Sequence, residues 1–418
     1  MKESSYMIVI PKNEEDMHDP KKPLENLMQN EDIQIMDINT DEERGLILKL
    51  KLDDNEYEVD LDPTEIDIPD MVRPAHVFSE EEIRQIDEAR MGLGVNMDFK
   101  GNSKKCFHDQ LRIINAMFPN EILAVMDCPA EKLLSGKWVS FAAESKTLPA
   151  PRYLFTVQAV SNGDDEIWLH THGLRRCGLY ELEILCSSKN MYEEHYRIIE
   201  TFAYRMLDDN EIIEPGEPVF IGQADDRYLV CTAVDWKEAL SFYPQATVGT
   251  EEDRAEDEDN YHSEDTYVLM MYMGPDDAKA KEYTPVQEFD SYLEQNPIFM
   301  ISNEETRRMS DLAIERLPYL IKAAENKDNV IIVKIALQKD EEFVDEDSEK
   351  EHIWFELKEI KKDSIVAELT QDAYFVKGIK EGDIGTYPFE DITDWEIFSQ
   401  GNCYTPDDVY RLAKGCVL

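Results

Sequence analysis

Between Glu166 and Leu185 the chain reads EIWLHTHGLRRCGLYELEIL, two β-rich runs joined by a short basic turn. No other stretch constrains the fold as tightly. Side chains alternate along a strand, so Ile167, Leu169 and Thr171 share one face of EIWLHTH while Trp168, His170 and His172 share the other. A strand with two such faces belongs inside a sheet. YLFTVQAV (153–160) precedes it across the turn-forming SNGDD (161–165), so the two runs are expected to form an antiparallel hairpin. Same-face neighbours on a strand stand about 6.5 to 7 Å apart at Cα, a span from which two imidazoles chelate one metal ion. His170 and His172 are therefore the candidate metal ligands. Gly173 and Gly178 can turn the chain so that Arg175, Cys177, Glu181 and Glu183 join the same pocket. The competing reading of a His-x-His beside a tryptophan is a hydrogen-bonded strand face at a domain centre, with no ion. Cys177 is also a candidate nucleophile, its thiol pKa lowered by Arg175 or Arg176, against the plainer reading of a packed thiol.

The same period-two pattern recurs along the chain. Leu46, Leu48, Leu50 and Leu52 alternate with polar residues, and after Asp53-Asp54-Asn55 the alternation resumes at Tyr57, Val59 and Leu61, which predicts a hairpin. YMIVI (6–10), ILAVM (122–126), WVSF (138–141), PVFIG, RYLVCTAV and YVLMMYM (267–273) are further strand candidates. Helices are expected around Leu24, Leu27 and Met28; from the Ser79/Glu82 capping box to a stop at Gly92 and Gly94; through Phe107, Leu111, Ile114 and Met117; and from Asn190 to Leu207. That last stripe carries His195, read as a satisfied core histidine. The acidic run TEEDRAEDEDNYHSED (250–265) reads as a disordered insertion, since like charges repel and the spacing of a calcium-binding loop is absent.

A chain of 418 residues exceeds one ordinary core. Three units are expected: a small α/β domain over 1–72, a central α+β domain over 73–302, and a C-terminal α+β domain over 303–418. The fold class is α+β and multi-domain, with mainly antiparallel sheets each packed with a few helices. Asp and Glu number 91 against 43 Lys and Arg, a formal charge of −48, which disfavours nucleic acid and favours a basic protein partner. The opening apolar run is too short for a signal peptide, and no segment approaches the roughly 20 apolar residues of a membrane span, so the expectation is a cytoplasmic protein with no membrane association. Seven scattered cysteines never fall in C-x-x-C spacing, which speaks against a disulfide framework or zinc knuckle. Phosphate-binding loops, G-x-S-x-G and H-E-x-x-H are missing as well.

In the last third, a helix entering at Ala313, Glu351-His352-Ile353-Trp354 opening a strand, Glu381-Gly382-Asp383 at a turn and Ile392-Thr393-Asp394-Trp395 near the end resemble the bacterial domain of unknown function 2314, over 303–418. The segment after Trp395, GNCYTPDDVYRL, is longer than the glycine-rich ending of that family. The central WLHTHGLRRCGLYELEIL resembles the signature of domain of unknown function 4026, which covers most of the remaining chain. Neither resemblance brings an established activity; related uncharacterised domains imply a role as immunity modules of bacterial toxin systems. In the C-terminal unit His352, Trp354, Asp394 and Trp395 are candidate pocket residues, set against a reading in which the tryptophans anchor the core and Asp394 bonds a turn. Two functions follow as expectations: a non-catalytic protein-binding module with an acidic surface and no resident cofactor, or a metal-dependent hydrolase centred on His170 and His172.

Overall fold

The computed structural model describes residues 3–13, 21–42, 44–163, 165–209, 212–224, 227–255, 261–294, 297–344 and 349–412. The chain is a multi-domain α+β protein with three mostly antiparallel sheets. It divides into two compact units, one of residues 1–144 and 149–301, the other of residues 145–148 and 302–418. Among the described residues no helix is long and apolar enough to cross a membrane.

The first unit holds two sheets. Strands β1 (Ser5–Pro11), β2 (Ile33–Asp41), β3 (Gly45–Leu52), β4 (Asn55–Glu65), β5 (Arg73–Pro74), β6 (Met91–Met97), β7 (Ile122–Asp127) and β8 (Lys132–Ser135) form one, in the spatial order β2-β3-β4-β6-β1-β7-β8-β5. The leucine alternation lays β3 against β4 with Leu52 opposite Asn55, so Leu48, Leu50 and Leu52 are buried along one face. The sheet takes strands from both sides of residue 72, where a domain boundary was expected, because β6 lies between β4 and β1.

Gly92 and Gly94 do not end a helix as expected. The capped helix closes at Glu88, and both glycines lie inside β6. A Cβ on Gly94 would stand 2.3 Å from the Tyr6 hydroxyl, and one on Gly92 would stand 2.7 Å from the carbonyl oxygen of Val9, so glycine here admits close packing rather than a turn. WVSF is likewise not a strand. It lies in the helix Gly136–Glu144, where Trp138, Val139, Ala142 and Ala143 are buried at helical spacing.

The second sheet contains β9 (Thr156–Val160), β10 (Glu166–His172), β11 (Glu181–Ser188), β12 (Val219–Ala224), β13 (Arg227–Asp235), β14 (Thr266–Met271) and β15 (Ile298–Phe299), ordered β15-β12-β13-β14-β11-β10-β9. β9 and β10 form the expected antiparallel hairpin, with His170 opposite Gln158 and His172 opposite Thr156. β11 pairs with β14 in parallel. Between β10 and β11 the chain makes a single 3-10 turn, Arg175–Cys177, closed by Gly178 at φ 76°. Arg176 locks that turn down. Wholly buried, it donates to both carboxylate oxygens of Asp127 on β7, at 2.6 and 2.9 Å, and to the Leu154 carbonyl at 2.8 Å.

The second unit is one antiparallel sheet of β16 (Val330–Gln338), β17 (Lys350–Ile360), β18 (Ser364–Leu369), β19 (Ile384–Pro388), β20 (Ile392–Ser399) and β21 (Asn402–Tyr404), ordered β19-β18-β17-β16-β20-β21. Ser302 caps the helix Asn303–Glu315, and after Arg316 a shorter helix, Leu317–Ala323, starts afresh with Pro318 in its first turn. Trp395 anchors this layer: it is fully buried, and its indole N–H donates to the Ala313 carbonyl at 3.0 Å.

Candidate metal centre

Alternation along β10 sends Trp168, His170 and His172 to one face, where their rings touch in sequence, with centroids 4.5 Å apart for Trp168 and His170 and 5.0 Å for the two histidines. A third imidazole completes the group. His262, just upstream of β14, stands 4.5 Å from His170 and 5.3 Å from His172, centroid to centroid. One ligand atom from each of the three histidines lies within 4.8 Å of the other two. Tetrahedral coordination at 2.0 to 2.1 Å sets donor atoms about 3.3 Å apart, so side-chain rotations of roughly 1.5 Å bring these nitrogens around one ion.

Two buried arginines position His262. Arg254, in the helix Glu251–Ala255, faces both carboxylate oxygens of Glu183, the cross-strand partner of His170, and donates to the backbone carbonyl of His262. Its guanidinium rests 4.5 Å from the Trp236 ring centroid and 5.2 Å from that of Trp168. Arg175 works from the other side, donating to the carbonyls of Tyr261 and Glu264, with its guanidinium 4.0 Å from the Tyr261 ring. Glu181 accepts from the Tyr261 hydroxyl at 2.8 Å, the Thr171 hydroxyl at 2.6 Å and the backbone N–H groups of Gly173 and Arg175. The ring of Tyr261 then stacks on His172 at 4.6 Å. The acidic run is thus not a free loop at either end: residues 250–255 and 261–265 are ordered by this network, and 256–260 lie outside the described residues.

Burial sets the charge states. It drives the imidazole of His170 well below its ordinary pKa, helped by His172, His262 and Arg254, and takes His172 down to about 3, helped by His262 and Arg175. Both rings are therefore neutral near pH 7 and carry a free lone pair. Burial raises the carboxyl groups of Glu131, Glu181 and Glu183, and in Glu183 the Arg254 guanidinium opposes it. Two carboxylate oxygens face the cluster from outside, Glu131 Oε1 at 3.6 Å from Nδ1 of His172 and Glu183 Oε1 at 3.9 Å from Nδ1 of His262. His170 Nδ1 is buried and has no hydrogen-bond partner among the described residues.

The other expected residues divide sharply. Arg175 and Glu181 bracket the site without belonging to the ligand cluster, and Cys177 sits buried in the 3-10 turn, its carbonyl accepting from Ser103. His195 is a bonded core residue: Nδ1 meets the Ser187 hydroxyl at 2.8 Å and Nε2 meets Asp290 at 3.0 Å. Ser187 is buried, so this Ser-His-Asp row has no face open to a substrate. In the second unit Trp354 and Asp394 both lie opposite Lys334 on β16, whereas Trp395 lies opposite Val333 and is fully buried in the core. His352 Nδ1 meets the Thr393 hydroxyl at 3.0 Å, Lys334 lies over the Trp354 ring, and Asp394 accepts the backbone N–H of Trp395 at 2.8 Å. Sequence reasoning missed His262, Arg254 and Tyr261, all inside the acidic run; one arginine and one Tyr-His pair amid nine acidic residues were the available signal.

Three family models match the chain in succession. Residues 5–149 match the N-terminal part of a protein of unknown function, DUF4026, and residues 157–270 its C-terminal part. Residues 319–410 match DUF2314, described as an uncharacterized protein conserved in bacteria. No curated protein and no solved structure matches.

Proposed function

For a chain that belongs to the DUF4026 family and continues into a DUF2314 domain, we propose a metal-dependent function in which His170, His172 and His262 hold one divalent transition-metal ion of the zinc class. The observation that carries this reading is the convergence of three histidine donors within 4.8 Å. Neutral imidazoles bind such an ion without first losing protons, and carboxylates behind ligand histidines are the usual means of fixing ring orientation. An ion would also supply the partner that His170 Nδ1 lacks, relieving a buried unsatisfied group worth about 1 to 3 kcal/mol. Three protein ligands leave a fourth position for water, whose pKa on zinc falls to about 7. Held by His170, His172 and His262, such an ion would supply Lewis acidity and an activated water, the chemistry that hydrolysis of a carbonyl or phosphoryl substrate requires. Hydrolysis is thus the proposed reaction class.

The test is metal content of the full-length protein by mass spectrometry together with visible absorption after Co²⁺ loading. We expect about one equivalent in the wild type, loss in His262→Ala, and retained tryptophan fluorescence in that variant. Equal metal content in wild type and His262→Ala would leave the three rings as a packed aromatic cluster and end the proposal. We further read the protein as cytoplasmic, since none of the six described cysteines is joined in a disulfide. A second reading, a basic protein partner, is favoured by the −48 charge; its on-rate should fall steeply as salt rises, and an on-rate indifferent to salt removes it.

A further inference from the structure

The first unit also contains a cavity of about 580 Å³, lined by residues of β13, by Tyr272 and Met273 just after β14, and by the helix Pro275–Ala280. Its size lies within the range of small-molecule sites. Its composition is unusual for this chain. Ten residues line it and none is Asp or Glu, although the two make up 91 of 418 residues, whereas two lining residues are cations, Arg227 and Lys279. Most of the remaining wall is apolar or aromatic, including Tyr228, Val230, Tyr272 and Met273, with Tyr228 65% and Met273 43% exposed.

The two cations are held differently. Arg227 pairs with no carboxylate among the described residues; its guanidinium is braced 4.6 Å from the Tyr292 ring and 5.3 Å from that of Phe289, and its buried Nη1 has no hydrogen-bond partner there. Lys279 sits at the rim in an exposed pair with Asp276 at 3.0 Å. Tyr272 is fixed by its hydroxyl donating to the Gly216 carbonyl at 2.7 Å, so that wall is rigid before any ligand arrives.

We propose that this cavity binds a small amphiphilic acid, an apolar body with one carboxylate, the body against Tyr228, Val230 and Met273 and the carboxylate toward Arg227 and Lys279. On a molecule of charge −48 the surface at large repels an anion, so selective capture needs a site from which acidic side chains are excluded. The apolar lining selects for the body, and the arginine rewards the head group with charge-assisted hydrogen bonds.

The experiment is calorimetric titration of the full-length protein with decanoate and, separately, decanol, which share a body and differ in charge. Decanoate should bind at one site at least about tenfold more tightly than decanol, the scale of one charge-assisted contact. Arg227→Gln should erase that preference, and Lys279→Gln, an exposed change with little bearing on folding, should reduce it. Ala278→Trp should fill the cavity and block both ligands, while His262→Ala should leave decanoate binding intact, which separates this site from the metal centre. Failure of decanoate to bind, equal binding of decanol, or unchanged decanoate binding in both Arg227→Gln and Ala278→Trp would overturn the proposal.

Discussion

Replacing Arg254 by Met removes the clamp between Glu183 and the segment carrying His262. Arg254 and Glu183 have side chains only 1% and 0% exposed, so the substitution strands a carboxylate in the interior. Breaking a buried ion pair by deleting one partner costs about 3 to 5 kcal/mol, most of it the desolvation of the charge left behind. With a urea dependence of about 3 kcal/mol per molar for a unit of this size, the unfolding midpoint should fall by roughly 1 to 1.7 M. The indoles of Trp168 and Trp236 lie within 5.2 and 4.5 Å of the Arg254 guanidinium, so tryptophan fluorescence reports the loss where it occurs. The double variant Arg254→Met, Glu183→Met should recover most of the deficit, because both charges have gone. A pH series adds a second check. Without the arginine, burial outweighs the remaining opposition of Trp168 and Arg175 and holds the folded pKa of Glu183 above the unfolded value, so its contribution is present below the unfolded pKa and lost as pH rises. Arg254→Met should therefore lie closer to wild type near pH 5 than near pH 8. A double variant as unstable as the single one, or a deficit that ignores pH, would refute the clamp.

His170 and His172 have folded pKa values below their unfolded ones, so the unfolded state binds more protons, and stability present above about pH 6.5 is lost as pH falls toward 3. Each histidine adds a slope of up to about 1.4 kcal/mol per pH unit, and urea midpoints for His172→Phe should fall less steeply than wild type between pH 7 and pH 4; parallel slopes would exclude the linkage. In the second unit burial pushes Asp394 up to about 6, so its contribution is present below the unfolded pKa and lost as pH rises through 6. Asp394→Asn should stabilise that unit by about 1 to 2 kcal/mol at pH 8 and by nothing at pH 4, measured as thermal midpoints; a gain independent of pH would mean the carboxyl is not the source.

Much of the architecture could be read from period-two alternation, because it depends only on which side chains face a core. The leucines of β3, the β9–β10 hairpin and the shared face of Trp168, His170 and His172 all follow from it. The misreadings share a different cause. Gly92 and Gly94 carry a turn signal in sequence, yet their function is to admit Tyr6 and the Val9 backbone, which are remote in the chain. Trp138 to Phe141 is too short a window to separate a buried helix from a strand; Ala142 and Ala143 make the period visible. The third histidine was hidden because a run of like charge argues for solvation, whereas Arg175 and Arg254 supply buried countercharges that no local pattern reveals.

The parallel pairing of β11 with β14 also bears on how the chain is made. β11 ends at Ser188, and the strand that covers its second edge is complete only at Met271, about eighty residues later. At ribosomal speeds of about 5 to 20 residues per second, the nascent polypeptide carries the β9–β10–β11 ribbon with its β11 edge bare for roughly 4 to 16 s. Throughout that interval the bare edge can accept a strand from a neighbouring nascent chain on the same message. Aggregation during overexpression should accordingly depend on translation rate, and synonymous codons that speed passage through residues 189–271 would shorten the exposure without altering a single side chain.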